Sequence, residues 1–470
     1  MDYISQLPDD ILCLIICLLS VDEAVRTSVL SKRWSGLWRF NSHLEFDGRR
    51  MIMPLTQRQN PEEAHDPYSP LSLNLNKGIT RYGDTISSIL DRHSGDLKSC
   101  RFIHFPYSIF CEEVVTWLSC VMGKNAKNVS LECEYFDIGT TQNCLRQLPL
   151  AERVSKPNFP TGIFSGLRSL QLVHYALRSL EPFKGCEKNL KTLILRNVSI
   201  DDETLEGLLK LLKGLESICL FECIGFRKFQ MYNPILKVLQ LHSMILDKVV
   251  VFAARLEVLH FDSIISPKAG MRIFSRSLRV IRCYDQSIYG SMISSNEGRP
   301  LLRSGRLLGH YQLFWGTKSN ILLTLTKLSI DLDLHDILES TLVICFLQVC
   351  RRLETLEVTL PAVPDDEGLI DRCAFWQSQE ACDCVKNQLK FVYLRVFKGN
   401  TQEFELLRHI AGNGKKLEKL TIVCGEEIET ERMASLTSVA PNLSIVWKLQ
   451  KHEDGQEIDE LQERAMISYK

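Results

Sequence analysis

Apolar residues recur at helical spacing through the first forty residues of the chain. Those within residues 11–19 follow the helical period, which predicts a helix that begins near Pro8. Ser20 and Glu23 have the spacing of a capping box, so a second helix is expected to begin there. A third turn, capped by Ser31, is expected to hold its large apolar residues on one face: Trp34, Leu37 and Trp38.

This N-terminal segment has more apolar surface than so small a unit can hide. A unit of about 40 residues rarely folds by itself without disulfides, a metal or a partner. Its two cysteines, Cys13 and Cys17, are too close on one helix for a disulfide between them to stabilise the unit. We therefore expect part of the apolar surface to pack on something else, either the rest of this chain or a second protein.

A different pattern, Leu-x-x-Leu-x-Leu, dominates the rest of the chain. Six clear copies follow one another, and their final positions lie 20 to 25 residues apart. A period of roughly 20–29 residues with this pattern is the signature of leucine-rich repeats. One such repeat cannot bury its own core, so short parallel strands are expected to stack with their leucines inward. The final positions of the six copies are Leu172, Leu195, Leu220, Leu241, Phe261 and Cys283.

Weaker copies extend the array in both directions, to Phe102 and Leu131 before it and to Ile422 after it. Return helices are predicted at 112–122, 201–212 and 335–349, a further helix at 403–411, and a glycine- and serine-rich surface insertion at 285–320. Asn197 lies two residues after Leu195, at the position where such repeats often use asparagine to hydrogen-bond the backbone at the turn. Most other copies lack it, so the repeats are irregular, and ordinary amphipathic α/β elements are the alternative reading.

Two runs near the N-terminus carry a specific resemblance: Leu7-Pro8-Asp9-Asp10-Ile11-Leu12, then Leu30-Ser31-Lys32-Arg33-Trp34 with Leu37-Trp38. Over residues 4–44 they resemble the F-box in the form common in plant F-box proteins, and residues 385–450 resemble the FBD region of such proteins. The resemblance implies docking on the Skp-type adaptor of a cullin-based ubiquitin ligase. The adaptor-binding residues expected from it are Leu7, Pro8, Ile11, Leu12, Ile15, Leu18, Val29, Leu30 and Trp34.

Together these patterns predict an α/β protein. An N-terminal three-helix F-box is followed by a leucine-rich-repeat solenoid of parallel β-strands with return helices and loops. The predicted boundaries are an F-box at 1–48, a linker at 49–77, a repeat array at 78–384 with its insertion at about 285–320, an FBD-like C-terminal cap at 385–450 and a charged tail at 451–470.

Composition and charge exclude several kinds of function. The hydrophobic fraction of 45% and the charged fraction of 24% are those of a globular protein. A net charge of −1 gives no overall attraction to nucleic acid or to an anionic membrane. No run approaches the roughly 18 apolar residues of a membrane span. The 17 cysteines are scattered and no signal-peptide pattern precedes them, so we expect free thiols and a location in the cytoplasm or nucleus.

No motif predicts chemistry of the chain's own, so we expect a non-enzymatic protein without cofactor or metal. Cys382 and Cys384 lack the paired spacing of a zinc site, and there is no glycine-rich phosphate loop. The remaining candidate is the concave face of the solenoid, formed by residues that flank the inward leucines. Its mixed polar and aromatic side chains suit protein recognition. The target-binding candidates are Gln171, Arg196, Phe221, His242, His260, Asp262, Arg282 and Tyr284.

Two functions therefore remain open. In the first, the chain is a substrate receptor that binds a Skp-type adaptor, and through it a cullin, while the repeats hold an unknown target protein for ubiquitination. In the second, the repeats form a protein- or ligand-binding scaffold that acts without a ligase. Nucleic-acid binding is disfavoured by the balanced charge.

Overall fold

The computed structural model describes residues 4–50, 70–105, 108–133, 155–265, 271–284, 323–331, 334, 337–360, 374–424 and 430–449. The predicted insertion at 285–320 and the tail at 451–470 lie outside the described residues. Described residues up to Ser275 form one compact unit, and those from Arg276 onward form a second.

The first unit begins with short helices in the predicted places. These are α1 (Asp9–Ile16), α2 (Val21–Arg26) and 3-10 segments at Ile4–Gln6, Thr27–Val29 and Trp34–Phe40. The capping box is confirmed, because the Ser20 N–H donates to Glu23 Oε2 at 3.2 Å. The segment Trp34–Phe40 is a 3-10 helix, and it buries Trp34, Leu37 and Trp38 together as predicted.

The rest of the first unit consists of short strands joined by loops and three helices. The helices are α3 (Pro70–Arg92), α4 (Ser108–Gly123) and α5 (Asp202–Leu211). In chain order, the strands are β1 (His43–Asp47), β2 (Ser99–His104), β3 (Asn128–Cys133), β4 (Ser169–Val173), β5 (Ala176–Leu177), β6 (Thr192–Arg196), β7 (Ser199–Ile200), β8 (Ser217–Phe221), β9 (Lys228–Tyr232), β10 (Val238–Ile245), β11 (Lys248–Phe252), β12 (Val258–Ile265) and β13 (Met271–Phe274).

The main sheet of the first unit is parallel and its strands follow the order of the chain: β1, β2, β3, β4, β6, β8, β10 and β12. The leucines of the sequence pattern share one register, and each is fully buried. The residues at the final position of successive repeats are Leu172, Leu195, Leu220, Leu241 and Phe261. This arrangement confirms the predicted repeat architecture.

The structure corrects two local predictions. Residues 43–47, which we assigned to the F-box at 1–48, form strand β1 and pair in parallel with β2. Leu44 and Phe46 lie beside Cys100 and Phe102. Two apolar residues separated by one position were therefore enough to form a strand of the sheet, although we had searched for the longer Leu-x-x-Leu-x-Leu pattern. Helix α3 begins at Pro70, within the predicted linker at 49–77, although we expected a helix only from residue 78. The other domain boundaries stay predictions.

Residues with positive φ recur directly after the five-residue sheet strands β4, β6 and β8, and at the corresponding position within the longer strand β10. They are His174, Asn197, Glu222 and Ser243, with φ between 49° and 58°. The first three donate their backbone N–H to the next repeat, as when Asn197 donates to the Phe221 carbonyl at 2.8 Å. The sequence therefore located this turn correctly at Asn197. The feature common to the repeats is the left-handed backbone, which asparagine tolerates better than most residues.

This turn gives a prediction on stability. Glu222→Asn is expected to raise the free energy of unfolding by up to about 1 kcal/mol, because asparagine adopts positive φ at lower cost than glutamate. The reverse substitution in the neighbouring repeat, Asn197→Glu, is expected to lower it by a similar amount. Urea denaturation of both variants measures the effect. Shifts of the same sign in the two variants would show that backbone strain does not decide the difference.

The second unit has the same architecture. Its strands are parallel and in chain order: β14 (Val280–Tyr284), β15 (Lys327–Asp331), β16 (Thr355–Thr359), β17 (Phe391–Phe397), β18 (Lys419–Cys424) and β19 (Ser444–Leu449). Its helices are α6 (Ile337–Val349), α7 (Ala374–Ser378), α8 (Asp383–Asn387), α9 (Thr401–Asn413) and α10 (Thr430–Val439). The helices expected at 335–349 and 403–411 are confirmed by α6 and α9, and α9 begins at a capping box formed by Asn400 and Glu403.

Candidate functional site

Helix α1 is apolar on two sides. Leu12 and Ile16, four residues apart, are fully buried against the unit. A second stripe at helical spacing is exposed instead: Ile11, Leu14, Ile15 and Leu18. A helix that is apolar all round is expected to be covered on all sides, so the outward stripe is unusual on a surface.

Further apolar side chains of the N-terminal helices are also exposed. Leu18 and Val29 are each 86% exposed, and Leu14, Leu30 and Ile4 are more than half exposed. Such a concentration of exposed aliphatic residues marks an interaction surface. We call this set the N-terminal apolar surface: Ile4, Ile11, Leu14, Ile15, Leu18, Val29 and Leu30.

The residues predicted to contact the adaptor differ in their exposure to solvent. Leu12 and Trp34 are buried in the core of the N-terminal helices, so their inclusion is corrected, because a partner cannot reach them without opening the fold. Leu7 is half-buried and Pro8 is exposed. The contact stays a prediction for the exposed members. Sequence reasoning missed Ile4 and Leu14, although the spacing of Leu14 from Ile11 and Leu18 was a usable signal.

One side chain joins the two halves of the N-terminal motif. The Arg33 guanidinium donates from Nε to Asp9 Oδ1 at 2.7 Å and from Nη2 to the Leu7 carbonyl oxygen. It thus connects the Leu30–Trp34 run to the start of α1. Because both partners of the ion pair are solvent-accessible, its contribution to stability is modest, but it holds α1 in place beside the 3-10 helix.

The second predicted site is the open sheet face of the first unit, formed by the residues that flank the inward leucines. Three of the predicted contacts, Gln171, Arg196 and Phe221, are half-buried on this face. The Arg196 guanidinium carbon lies 5.7 Å from the centre of the Phe221 ring. Phe221 in turn lies 5.6 Å from His242, whose ring is 4.4 Å from that of His260. The face therefore carries a continuous row of packed rings.

This packing corrects the prediction for two histidines. His242 and His260 are only 6% and 8% exposed, so they support the row from within and offer little surface to a target. The strand positions of Asp262 and Tyr284 are described, but their side chains lie outside the described residues. Arg282 is half-buried in the second unit. Target binding by Gln171, Arg196 and Phe221 stays a prediction.

A polar network that the sequence did not reveal lies on the first strands of the same face. Arg101 donates to Glu132 at 2.8 Å and to Glu45 at 3.0 Å. Gln171 donates to Glu132 at 3.5 Å. Hydrogen bonding to Glu132 raises the pKa of Arg101 above its ordinary value. These charges satisfy one another, so this end of the face is stabilised internally and is not a free ion-binding site.

The second unit contains a comparable group around Glu357 of β16. Its carboxylate lies 2.7 Å from Arg395 and 3.5 Å from Lys327. Burial acts to raise the pKa of Glu357, but the two cations outweigh it and lower the pKa below its ordinary value. Glu357 is therefore charged near neutral pH and acts as a structural link between β15, β16 and β17.

The chain matches two family models. Residues 4–44 match the F-box domain, and residues 89–446 match the At1g61320/AtMIF1 LRR domain, which covers well over half of the chain. The chain belongs to this F-box/leucine-rich-repeat family. The N-terminal apolar surface of this F-box/leucine-rich-repeat protein thus lies within its F-box.

Relatives from Arabidopsis thaliana agree with the family models. The F-box/leucine-rich-repeat protein is 31% identical to "F-box protein At1g80960" over 60% of its own length and 53% of that protein. It is 26% identical to "F-box/FBD/LRR-repeat protein At2g04230", over 46% of its own length and 41% of that protein. The chain thus spans about half of these curated relatives. The relatives support an F-box/leucine-rich-repeat protein of plant type with an FBD-like region.

Among the described residues, no helix combines the length and the apolar character needed to cross a membrane.

Proposed function

We propose that this F-box/leucine-rich-repeat protein is the substrate-recognition subunit of a Skp–cullin–F-box E3 ubiquitin ligase. The F-box binds the Skp-type adaptor and, through it, a cullin, while the repeats bind a target protein for ubiquitination. The protein is a non-catalytic receptor that acts inside the cell, in the cytoplasm or nucleus. The observation that carries the proposal is the exposure of aliphatic residues on both α1 and the Thr27–Val29 turn.

The energetic argument starts from this exposure. Burying a leucine or valine side chain fully stabilises a complex by about 1.5–3 kcal/mol relative to leaving it in water. The N-terminal apolar surface has seven aliphatic side chains, of which three are isoleucines, and this is enough to supply the core of a protein interface even after the cost of association. A partner with a complementary apolar groove would cover this surface, and the F-box match indicates an adaptor of the Skp type.

A receptor of this kind needs no nucleophile of its own. It contributes to ubiquitination by holding the target near a charged ubiquitin carrier, which raises the effective concentration of the reacting groups. The half-buried side chains of the open sheet face, Gln171, Arg196 and Phe221, are the proposed target contacts there.

The test is a calorimetric titration of a purified Skp-type adaptor into the full chain. We expect binding at micromolar concentration or tighter, with a negative heat-capacity change because apolar surface is buried. If no binding occurs at micromolar concentrations while the chain is folded, the ligase role is wrong. The scaffold that acts without a ligase is then the better description of the protein.

A further inference from the structure

A row of stacked aromatic rings lies on the small parallel sheet of β9, β11 and β13. Tyr232, Phe252 and Phe274 occupy the same register position on the three strands. The ring centres of Tyr232 and Phe252 are 5.0 Å apart, and those of Phe252 and Phe274 are 4.2 Å apart. The ring planes differ by only 11° and 6°. We call these three residues the aromatic ladder.

The aromatic ladder lies on the solvent side of its sheet. Tyr232 is 64% exposed, and Phe252 and Phe274 are each 39% exposed. The alternate strand positions point inward and are almost fully buried: Phe229, Met231, Val249, Val251 and Ile273. The aromatic residues are therefore not part of the core, and three consecutive repeats each leave a large apolar side chain in water.

Cations share this solvent-facing side. Lys228 and Lys248 are register partners at the start of β9 and β11, and Arg272 is the register partner of Val250. All three cations are exposed, and no carboxylate of the described chain forms an ion pair with them. At about 6.8 Å for every two residues along a strand, the lysines lie roughly 13 Å from the aromatic ladder, with Arg272 between.

The stacking decides which parts of the rings a partner can reach. Both faces of Phe252 are covered by its neighbours, so a nucleobase cannot stack on the middle of the ladder. The accessible parts of Phe252 are its ring edges, which carry partial positive charge. Apolar side chains can pack on these edges, and carboxylate oxygens are attracted to them. Together with the exposed lysines and arginine, the surface is complementary to an acidic segment that also carries apolar residues.

We propose that the aromatic ladder and the cations beside it bind an extended acidic peptide segment of a partner protein. An apolar residue of the segment packs on the ring edges, and carboxylates two and four residues further along meet Arg272 and the two lysines. The spacing fits because an extended peptide repeats at about the same interval as the strands. The proposal does not depend on the ligase role, since a scaffold could use the same surface.

The proposal is tested with the full chain and a fluorescein-labelled peptide that carries one leucine followed by glutamate two and four residues later, with serine at the positions between them. Fluorescence anisotropy at physiological ionic strength measures the affinity. We expect the double variants Lys248→Glu/Arg272→Glu and Tyr232→Thr/Phe252→Thr each to weaken binding at least about tenfold, because the first places like charges against the peptide and the second removes its apolar contact. Threonine retains strand propensity at these exposed positions.

The matched control is Lys188→Glu/Lys213→Glu, which makes the same change in net charge at exposed lysines in another part of the first unit. It should change the affinity less than about twofold, and circular dichroism should show all variants folded. The proposal is overturned if the glutamate peptide fails to bind, or if the control weakens binding as much as the ladder variants do. Equal or tighter binding of the same peptide with lysine in place of glutamate, or of oligothymidine, also overturns it.

Discussion

Replacement of Leu18 and Leu30 by alanine is expected to weaken adaptor binding by about 100-fold or more. Both side chains are more than half exposed and belong to the N-terminal apolar surface. Each leucine buried at an interface contributes about 1.5–3 kcal/mol, and alanine retains only a small part of it. Two such losses together are about equal to or larger than the roughly 2.7 kcal/mol that corresponds to 100-fold in the dissociation constant. Isothermal titration calorimetry with a purified Skp-type adaptor measures the change.

The control for this experiment uses two other exposed leucines, which lie outside the N-terminal helices. Leu323 and Leu449 are exposed in the second unit, and their double replacement by alanine removes the same atoms. Adaptor affinity should stay within about twofold of the original chain, because these residues are outside the F-box. Unchanged affinity in Leu18→Ala/Leu30→Ala would mean that the adaptor, if it binds, uses a different surface.

Leu220→Ala is expected to lower the free energy of unfolding of the first unit by about 2–5 kcal/mol. Leu220 is fully buried, and its strand positions it between Leu195 and Leu241 of the adjacent repeats. Truncation leaves a cavity that touches both neighbours. Because each repeat is stabilised mainly by its neighbours, the substitution weakens the packing of the altered repeat against both adjacent repeats. Urea denaturation followed by circular dichroism measures the effect.

Leu30→Ala is the matched control, since it makes the same chemical change at an exposed position. Its effect on unfolding should be below about 0.5 kcal/mol. The two substitutions are expected to have different effects. Leu220→Ala lowers the free energy of unfolding, whereas Leu30→Ala contributes to the loss of adaptor binding. Comparable denaturation shifts in both variants would contradict the assignment of Leu220 to the core and Leu30 to a binding surface.

The sequence by itself determined the elements that depend on neighbouring residues. The capping box at Ser20 and Glu23 was readable because its partners are three positions apart. The register of Leu172, Leu195 and Leu220 was readable because a repeated apolar pattern reports which residues must be buried together. Where the pattern shrank to two positions, as at Leu44 and Phe46, the strand was missed.

Only the tertiary structure decided which apolar residues are available to a partner. Leu12 and Leu14 both follow the helical period of α1, yet Leu12 is fully buried and Leu14 is 63% exposed. The same holds for His260, which is buried although its strand position predicted an accessible side chain. The aromatic ladder was likewise visible only in the tertiary structure, because its three residues lie about one repeat apart in the sequence and meet only when the repeats stack. Hydrophobic periodicity records that residues avoid water, but which face is covered depends on the elements that pack against it.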